Sequence, residues 1–385
     1  MSTVLSKRAT YNYQSLRPQL FEMLEATGAG SIGKGSRVVI KPNLLAPASP
    51  RRAILTHPTV VRSVAEYVLD RGGKVQISDS PAMGTFEKVL VESGIREALR
   101  GLDVTYKEFN ESTTIDVGEP FRKIEIALDA LEADVLINLP KLKTHSQMLL
   151  TLGVKNLFGC IVGLRKPQWH LRTGVDREAF ATLLVRIYQA VKPKVTILDG
   201  ILAMEGEGPG TGGRPKEVGI LLGSADAVAL DVAVCRLLGL AEDDLLTNRM
   251  ARNFGLLDGP VEVVGDTIEI KDFKLPEMEP LVFGPKFSHT FLRKHLIQRP
   301  RVEESFCEFC GDCQRYCPSH AISFRRKKIS FDYEKCIRCY CCLEVCPQGA
   351  LRTYQPLLGK LFSRVINRSS RPSFSYDTDH IRNRP

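Results

Sequence analysis

Eight cysteines of this chain fall into two runs of one spacing, and nothing else in it constrains folding so tightly. Cys307-x2-Cys310-x2-Cys313-x3-Cys317-Pro318 recurs as Cys336-x2-Cys339-x2-Cys342-x3-Cys346-Pro347. Thiols packed this densely hold their segment around something they bind. The opening stretch MSTVLSKRATYNYQSLRPQL has no continuous apolar run of the secretory type. No stretch approaches the 18 apolar residues of a membrane span. A reducing cytoplasm is therefore the expected compartment, where disulfides are rare. The eleven cysteines then read as metal or cluster ligands first.

The doubled spacing is the bacterial ferredoxin pattern for two [4Fe-4S] clusters. In it, three close thiolates wrap one cubane and the fourth ligates the other. The expected sets are Cys307, Cys310, Cys313 and Cys346 for one cluster, and Cys336, Cys339, Cys342 and Cys317 for the other. Zinc fits poorly, because its usual frame is two separated CxxC pairs. Cys341, beside Cys342, falls outside the spacing and reads as a packing thiol. Cys160 and Cys235 sit in apolar runs and read as core. Between the runs, AISFRRKKISFDYEK reads as a hairpin with a basic tip. The tip could steer an acidic redox partner; four basic residues on one turn are a thin footprint for nucleic acid.

The cassette covers about 50 residues of 385, so most of the chain does something else. From residue 37 to about 265, strand-like runs alternate with helical ones. RVVIK, KVQISD, LDVTYKEF, DVLINLP, KVTILDG and EVGILLGS read as strands. Residues 57–73, with Thr56 as cap, and 84–101, 177–192 and 225–239 read as helices. The expected fold is a layered α/β domain with a mostly parallel sheet, followed by a small α+β ferredoxin-like two-cluster domain.

Ligands of such sheets bind beyond the carboxyl ends of the strands. The polar residues there are Lys41 and Asn43, then Asp79, then Lys141, Lys143, Thr144, His145, Lys155 and Asn156. Asp199, Glu205 and a stretch with five glycines between 206 and 213 follow. Together they suggest a concave site for an anionic small molecule, with or without a metal. Lys143, His145 and Lys155 are the catalytic candidates; the others are candidate binding residues. The glycine stretch reads as a mobile or anion-embracing loop. GAGSIGKG and GPGTGG imitate nucleotide loops but lack the strand-then-helix context.

IKPNLL, SDSP, LPKLKTH…GVKNLFG, LDGILAMEGEGP and ADAVALD together resemble the DUF362 family, a domain of unknown function. Many members of that family carry a C-terminal two-cluster ferredoxin module. The resemblance spans roughly residues 36 to 350, and PKLKTH…GVKNLFG is its most specific part. ADAVALD stands where DPVALD is expected. The resemblance implies an iron–sulfur protein with an electron-transfer or oxidoreductase role, and gives no substrate.

The expected division is an α/β domain (1–270), a linker (271–303), a cluster domain (304–355) and a basic tail (356–385). The net charge of +9 is partly this tail, which opens with an amphipathic stripe suited to packing back, or to peripheral contact with an anionic membrane or partner. The leading expectation is an oxidoreductase that exchanges electrons with a redox partner protein. A non-catalytic electron-transfer subunit and a metal or cofactor maturation protein are the alternatives. Any further organic cofactor or metal is left open.

Overall fold

The structure, a computed structural model, describes residues 1–163, 165–174, 176–276, 297–325 and 328–357. Its first half runs β1 (Ser2–Arg8), α1 (Tyr13–Ala26), β2 (Arg37–Pro42), α2 (Pro58–Asp70), β3 (Lys74–Ile77), α3 (Phe86–Glu92), α4 (Ile95–Ala98) and β4 (Val104–Tyr106). A hairpin of β5 (Ser112–Gly118) and β6 (Arg122–Ala127) and the short α5 (Leu128–Glu132) lead to β7 (Val135–Leu139). Next come β8 (Lys141–His145), β9 (Leu149–Thr151), α6 (Gly153–Asn156), α7 (Arg165–Thr173) and α8 (Arg177–Val191). β10 (Val195–Gly206), β11 (Gly213–Ser224), α9 (Ala227–Leu237), α10 (Leu246–Asn253) and β12 (Val261–Gly265) complete the domain.

The sheet order is β12-β1-β11-β10-β7-β2-β3-β4, with β8 beside β10 and β9 beside β8. β10, β7, β2, β3 and β4 are mutually parallel, while β11 is antiparallel to β10 and β1. The sheet is thus mostly parallel, as expected. One face buries Leu16, Leu20, Val60 and Val64 from α1 and α2; the other buries Phe180, Leu184, Val228 and Val232 from α8 and α9. Each such side chain contributes roughly 1.5–3 kcal/mol. Cover on both faces is why the central strands are continuously apolar.

The structure corrects four local readings. His57, not Thr56, caps α2: its Nδ1 accepts the Thr59 N–H. Thr56 instead donates to the Leu139 carbonyl (2.7 Å) and accepts the Asn43 N–H (2.8 Å). Residues 84–101 break into α3 and α4 at Gly94, whose φ of +74° interrupts the helix. KLKTH is strand, not loop. The supposed glycine loop shrinks to the turn 207–212, since β10 continues through Asp199 to Gly206 and β11 starts at Gly213. The reason is tertiary. β8 and β11 flank residues 199–206 and supply ladder partners that no local pattern announces.

The second module comprises β13 (Arg299–Val302), α11 (Asp312–Arg315), β14 (Ile322–Arg325), β15 (Lys328–Phe331), α12 (Cys341–Glu344) and β16 (Leu351–Tyr354). β13 pairs with β16 and β14 with β15, both antiparallel. Ile322, Ile329, Leu343 and Leu351 fill its core. The hairpin between the cysteine runs is present, but Arg326 and Lys327 of its tip lie outside the described residues. So do residues 277–296 of the linker and the tail from 358 onward.

The module seats on the β10–β11 turn. Thr211 Oγ1 donates to the Cys346 carbonyl (2.9 Å), and Thr353 Oγ1 donates to Glu207 Oε2 (2.6 Å). A Cβ on Gly210 would stand 3.1 Å from the Glu344 carbonyl, and one on Gly349 2.8 Å from Thr211 Oγ1. The glycine-rich turn is therefore a docking platform, where small residues let two backbones approach.

Candidate functional site

Side chains alternate along a strand, so Lys141, Lys143 and His145 share one face of β8. All three are buried. Burying a charge is costly unless it is paired. Lys141 is paired: its Nζ donates to Asp199 Oδ2 (2.8 Å) and to the Tyr11 hydroxyl (2.8 Å). Asp199 also accepts from the Tyr11 hydroxyl (2.7 Å) and the His57 N–H (2.9 Å), which closes the network. Lys41 Nζ lies 2.9 Å from Asp79 Oδ1 at full burial. Asp79 Oδ2 accepts the Leu44 N–H (2.9 Å).

Next to the Lys41–Asp79 pair opens a cavity of about 260 Å³. The α/β domain lines it with Asn43, Asp79, Lys143, His145, Lys155, Asn156, Phe158, Lys166 and His170; the cysteine module adds Tyr316, Cys341, Glu344 and Val345. Three of these lysines have no carboxylate partner among the described residues. Lys143 Nζ donates to Asn43 Oδ1 (2.7 Å) and the Ile54 carbonyl (2.9 Å). Lys166 Nζ donates to the Ser80 carbonyl (2.7 Å) and hydroxyl (2.8 Å). Lys155 Nζ makes no hydrogen bond or ion pair there; it stands 5.9 Å from the ring centroids of Phe158 and Phe180.

Burial, reinforced by the charge of Lys155, pulls Lys143 down to about 7. Burial likewise lowers Lys166 to about 8, and lowers Lys155. His145 is brought to about 4 by burial and the neighbouring Lys155. It is therefore neutral. Its Nδ1 accepts the N–H groups of Gln147 (3.1 Å) and Met148 (3.3 Å), so the proton sits on Nε2. That nitrogen lies 3.1 Å from Glu344 Oε1 of the other module. Burial alone would raise Glu344, but His145 and Lys155 hold it low, and it stays a carboxylate.

The Lys143 shift has a measurable consequence. The unfolded chain keeps this proton up to about pH 10.5, the fold only to about 7. In that window the unfolded state binds more protons, so stability rises with pH, by on the order of 5 kcal/mol in full. The parent's urea midpoint should climb from about pH 7 to about pH 10 more than that of Lys143→Met. Equal slopes would mean that this amine does not titrate on unfolding.

The motif after β9 is braced from two sides. Asp231 accepts the N–H groups of Gly153 (2.7 Å) and Val154 (3.1 Å), which ties ADAVALD to GVKN. Asn156 accepts from Asn43 Nδ2 (2.7 Å) and donates to Asn138 Oδ1 (2.8 Å). Lys155 is thereby held at the cavity.

Of the residues expected from sequence, Asn43, Asp79, Lys143, His145, Lys155 and Asn156 meet in the cavity lining, and Lys41 lies directly behind. Lys141 and Asp199 sit in their own closed network. Thr144 accepts the Gly208 N–H (3.3 Å), and Glu205 accepts the Lys274 N–H (3.0 Å). These four do not line it. Lys166, His170, Tyr316 and Glu344 were not foreseen. Lys166 and His170 stand four apart on the buried side of α7, a spacing visible in RKPQWHLRT. Tyr316 and Glu344 reach the cavity only through docking of the modules.

In the second module, Cys307, Cys310, Cys313 and Cys346 border one hollow, and Cys317, Cys336, Cys339 and Cys342 border another. Among the described residues no His, Cys, Asp or Glu group converges as a single-ion site would. Sulfurs spread around a hollow suit a cubane, which is larger than an ion. Cys310 is exposed and Cys307 and Cys346 partly so, whereas all four cysteines of the second group are buried.

Comparison with known proteins agrees with this division. Residues 38–236 match the family described as Domain of unknown function (DUF362), more than half of the chain. The chain belongs to the DUF362 family. Residues 306–350 match a 4Fe-4S dicluster domain, so this DUF362 protein carries an iron–sulfur electron-transfer module. The thylakoid-associated protein sll1697 of Synechocystis sp. is 38% identical over 311 residues, spanning 76% of this chain and 95% of its own. Among solved structures, the lactate racemase apoprotein from Thermoanaerobacterium thermosaccharolyticum has a TM-score of 0.37 at 13% identity. The match covers 60% of this chain and 55% of that one, and carries nothing about activity. Among the described residues of this DUF362 protein, no helix is long and apolar enough to cross a membrane.

Proposed function

We propose that this chain is an oxidoreductase that exchanges single electrons between an external redox protein and a small anionic molecule in the cavity. One observation carries the reading: the cavity is walled by both modules. Tyr316 and Cys341 line it, and each is the sequence neighbour of a cysteine of the buried group, Cys317 and Cys342. In this reading Cys307, Cys310, Cys313 and Cys346 hold one [4Fe-4S] cluster, and Cys336, Cys339, Cys342 and Cys317 the other. Bound there, the clusters supply one-electron chemistry. The exposed Cys310 marks the side that a redox protein can approach. Lys143, Lys155 and Lys166 bind the anion and offset charge gained on reduction. Lys143, with its pKa near 7, can hold or release a proton at Nζ. The docked module walls one side of the cavity.

The test uses anaerobically purified protein, reduced and then mixed with the small molecules that mass spectrometry finds released from a denatured sample. Return of the oxidised iron–sulfur spectrum, with conversion of one released compound, is expected. Iron and sulfide alone, with a co-eluting protein, would favour the non-catalytic subunit instead.

A further inference from the structure

The lining narrows the chemistry of the anion, if the reading above is right that one binds here. Lys155 Nζ and the His170 ring stand against the same aromatic pair: Lys155 is 5.9 Å from the Phe158 and Phe180 centroids, and His170 stacks on Phe180 at 4.3 Å. His170 is 4% exposed, and its buried Nδ1 has no hydrogen-bond partner among the described residues. An unpaired ammonium and an unpartnered imidazole nitrogen at one apolar corner complement a group that takes charge and a hydrogen bond together.

Phosphate is held most specifically by backbone N–H nests or bidentate arginine forks, while lysine meets it only as a point charge. Among the described residues, no arginine lines the cavity. The first amides of α6, at Gly153 and Val154, are already taken by Asp231. Glu108 and Glu344 in the lining repel a second negative group. A volume of about 260 Å³ lies below the roughly 300–1,000 Å³ of sites for drug-sized ligands. That favours a molecule smaller than a nucleotide or flavin. Leu44, Pro81, Phe158 and Val345 supply apolar wall for a short carbon body.

We infer that the cavity binds a compact monocarboxylate, its carboxylate between Lys155 and His170 and its carbon body against the apolar wall. Lys143 and Lys166 then face the far end of the molecule.

The experiment is calorimetry on full-length, cluster-loaded, oxidised protein. The probes are butyrate, crotonate and 2-oxobutyrate, with succinate and inorganic phosphate as dianions. At least one four-carbon monocarboxylate should bind one to one, and at least tenfold tighter than either dianion. Lys155→Met should weaken it at least tenfold, and Lys155→Arg should restore part of the loss. His170→Leu gives an independent check if Lys155→Met fails to fold. Tighter binding of phosphate or succinate overturns the assignment, as does no binding by any of the three, or binding unmoved by both variants. No reductant is present, so the two readings fail separately. Carboxylates that bind yet never reoxidise the reduced protein would sink the oxidoreductase reading alone; an electron acceptor that is no carboxylate would sink this one alone.

Discussion

Gly159→Ala is expected to lower stability by about 3–5 kcal/mol and to abolish ligand retention. A Cβ there would stand 2.1 Å from Asp79 Oδ1 and 2.6 Å from Lys41 Nζ. Neither atom can retreat, because the ion pair is fully buried and Asp79 is further tied to the Leu44 N–H. Separating a buried pair leaves an uncompensated charge, which costs far more than a surface pair is worth. The alternative is a backbone shift at Gly159, which would carry its neighbour Phe158 out of the lining. Gly33→Ala is the control, since nothing lies within 4 Å of its added carbon. Urea midpoints for the two variants decide the matter. A Gly159→Ala protein as stable as the parent would show that the floor of the cavity can yield.

Cysteine substitutions should separate the two sulfur groups. Cys310→Ser and Cys342→Ser should each reduce iron from about eight atoms per chain to about four. Their effects on the cavity should differ. Cys342 sits on α12 between Cys341 and Glu344, both in the lining, so its loss should also abolish ligand retention. Cys310 is exposed and outside the lining, and its variant should keep the ligand. Cys341→Ser should keep all the iron, because the spacing passes over that residue. Iron analysis and mass spectrometry on the three proteins give the answer. Equal ligand loss in both cluster variants would mean that the cavity depends on the module as a whole and not on the buried group.

Much of this was legible because the chemistry is written in local spacing. The cysteine runs announce their clusters, and apolar runs alternating with helical stretches announce a parallel sheet. Lys143 and His145 could be named because they follow the carboxyl end of a parallel strand; that they share one face of β8 came from the structure. What stayed hidden depends on contacts distant in sequence. Asp199 looked like a site residue because it follows an apolar run, but Tyr11, 188 positions away, closes its network. Glu344 looked like one more residue of the cysteine cassette; only docking sets it 3.1 Å from His145. The glycines of 206–213 suggested an anion loop, because a turn built for close approach has the same composition whether the approaching group is a ligand or another backbone.

That last ambiguity has a consequence for descent. At Gly210 and Gly349 the modules touch so closely that one more carbon would force a neighbour to shift, and the cavity takes a wall from each of them. A cluster module borrowed from another protein would meet the turn with the wrong relief and leave the pocket open on one side. The two halves are therefore heritable only as a matched set, and a change on one side of the seam has to be answered on the other.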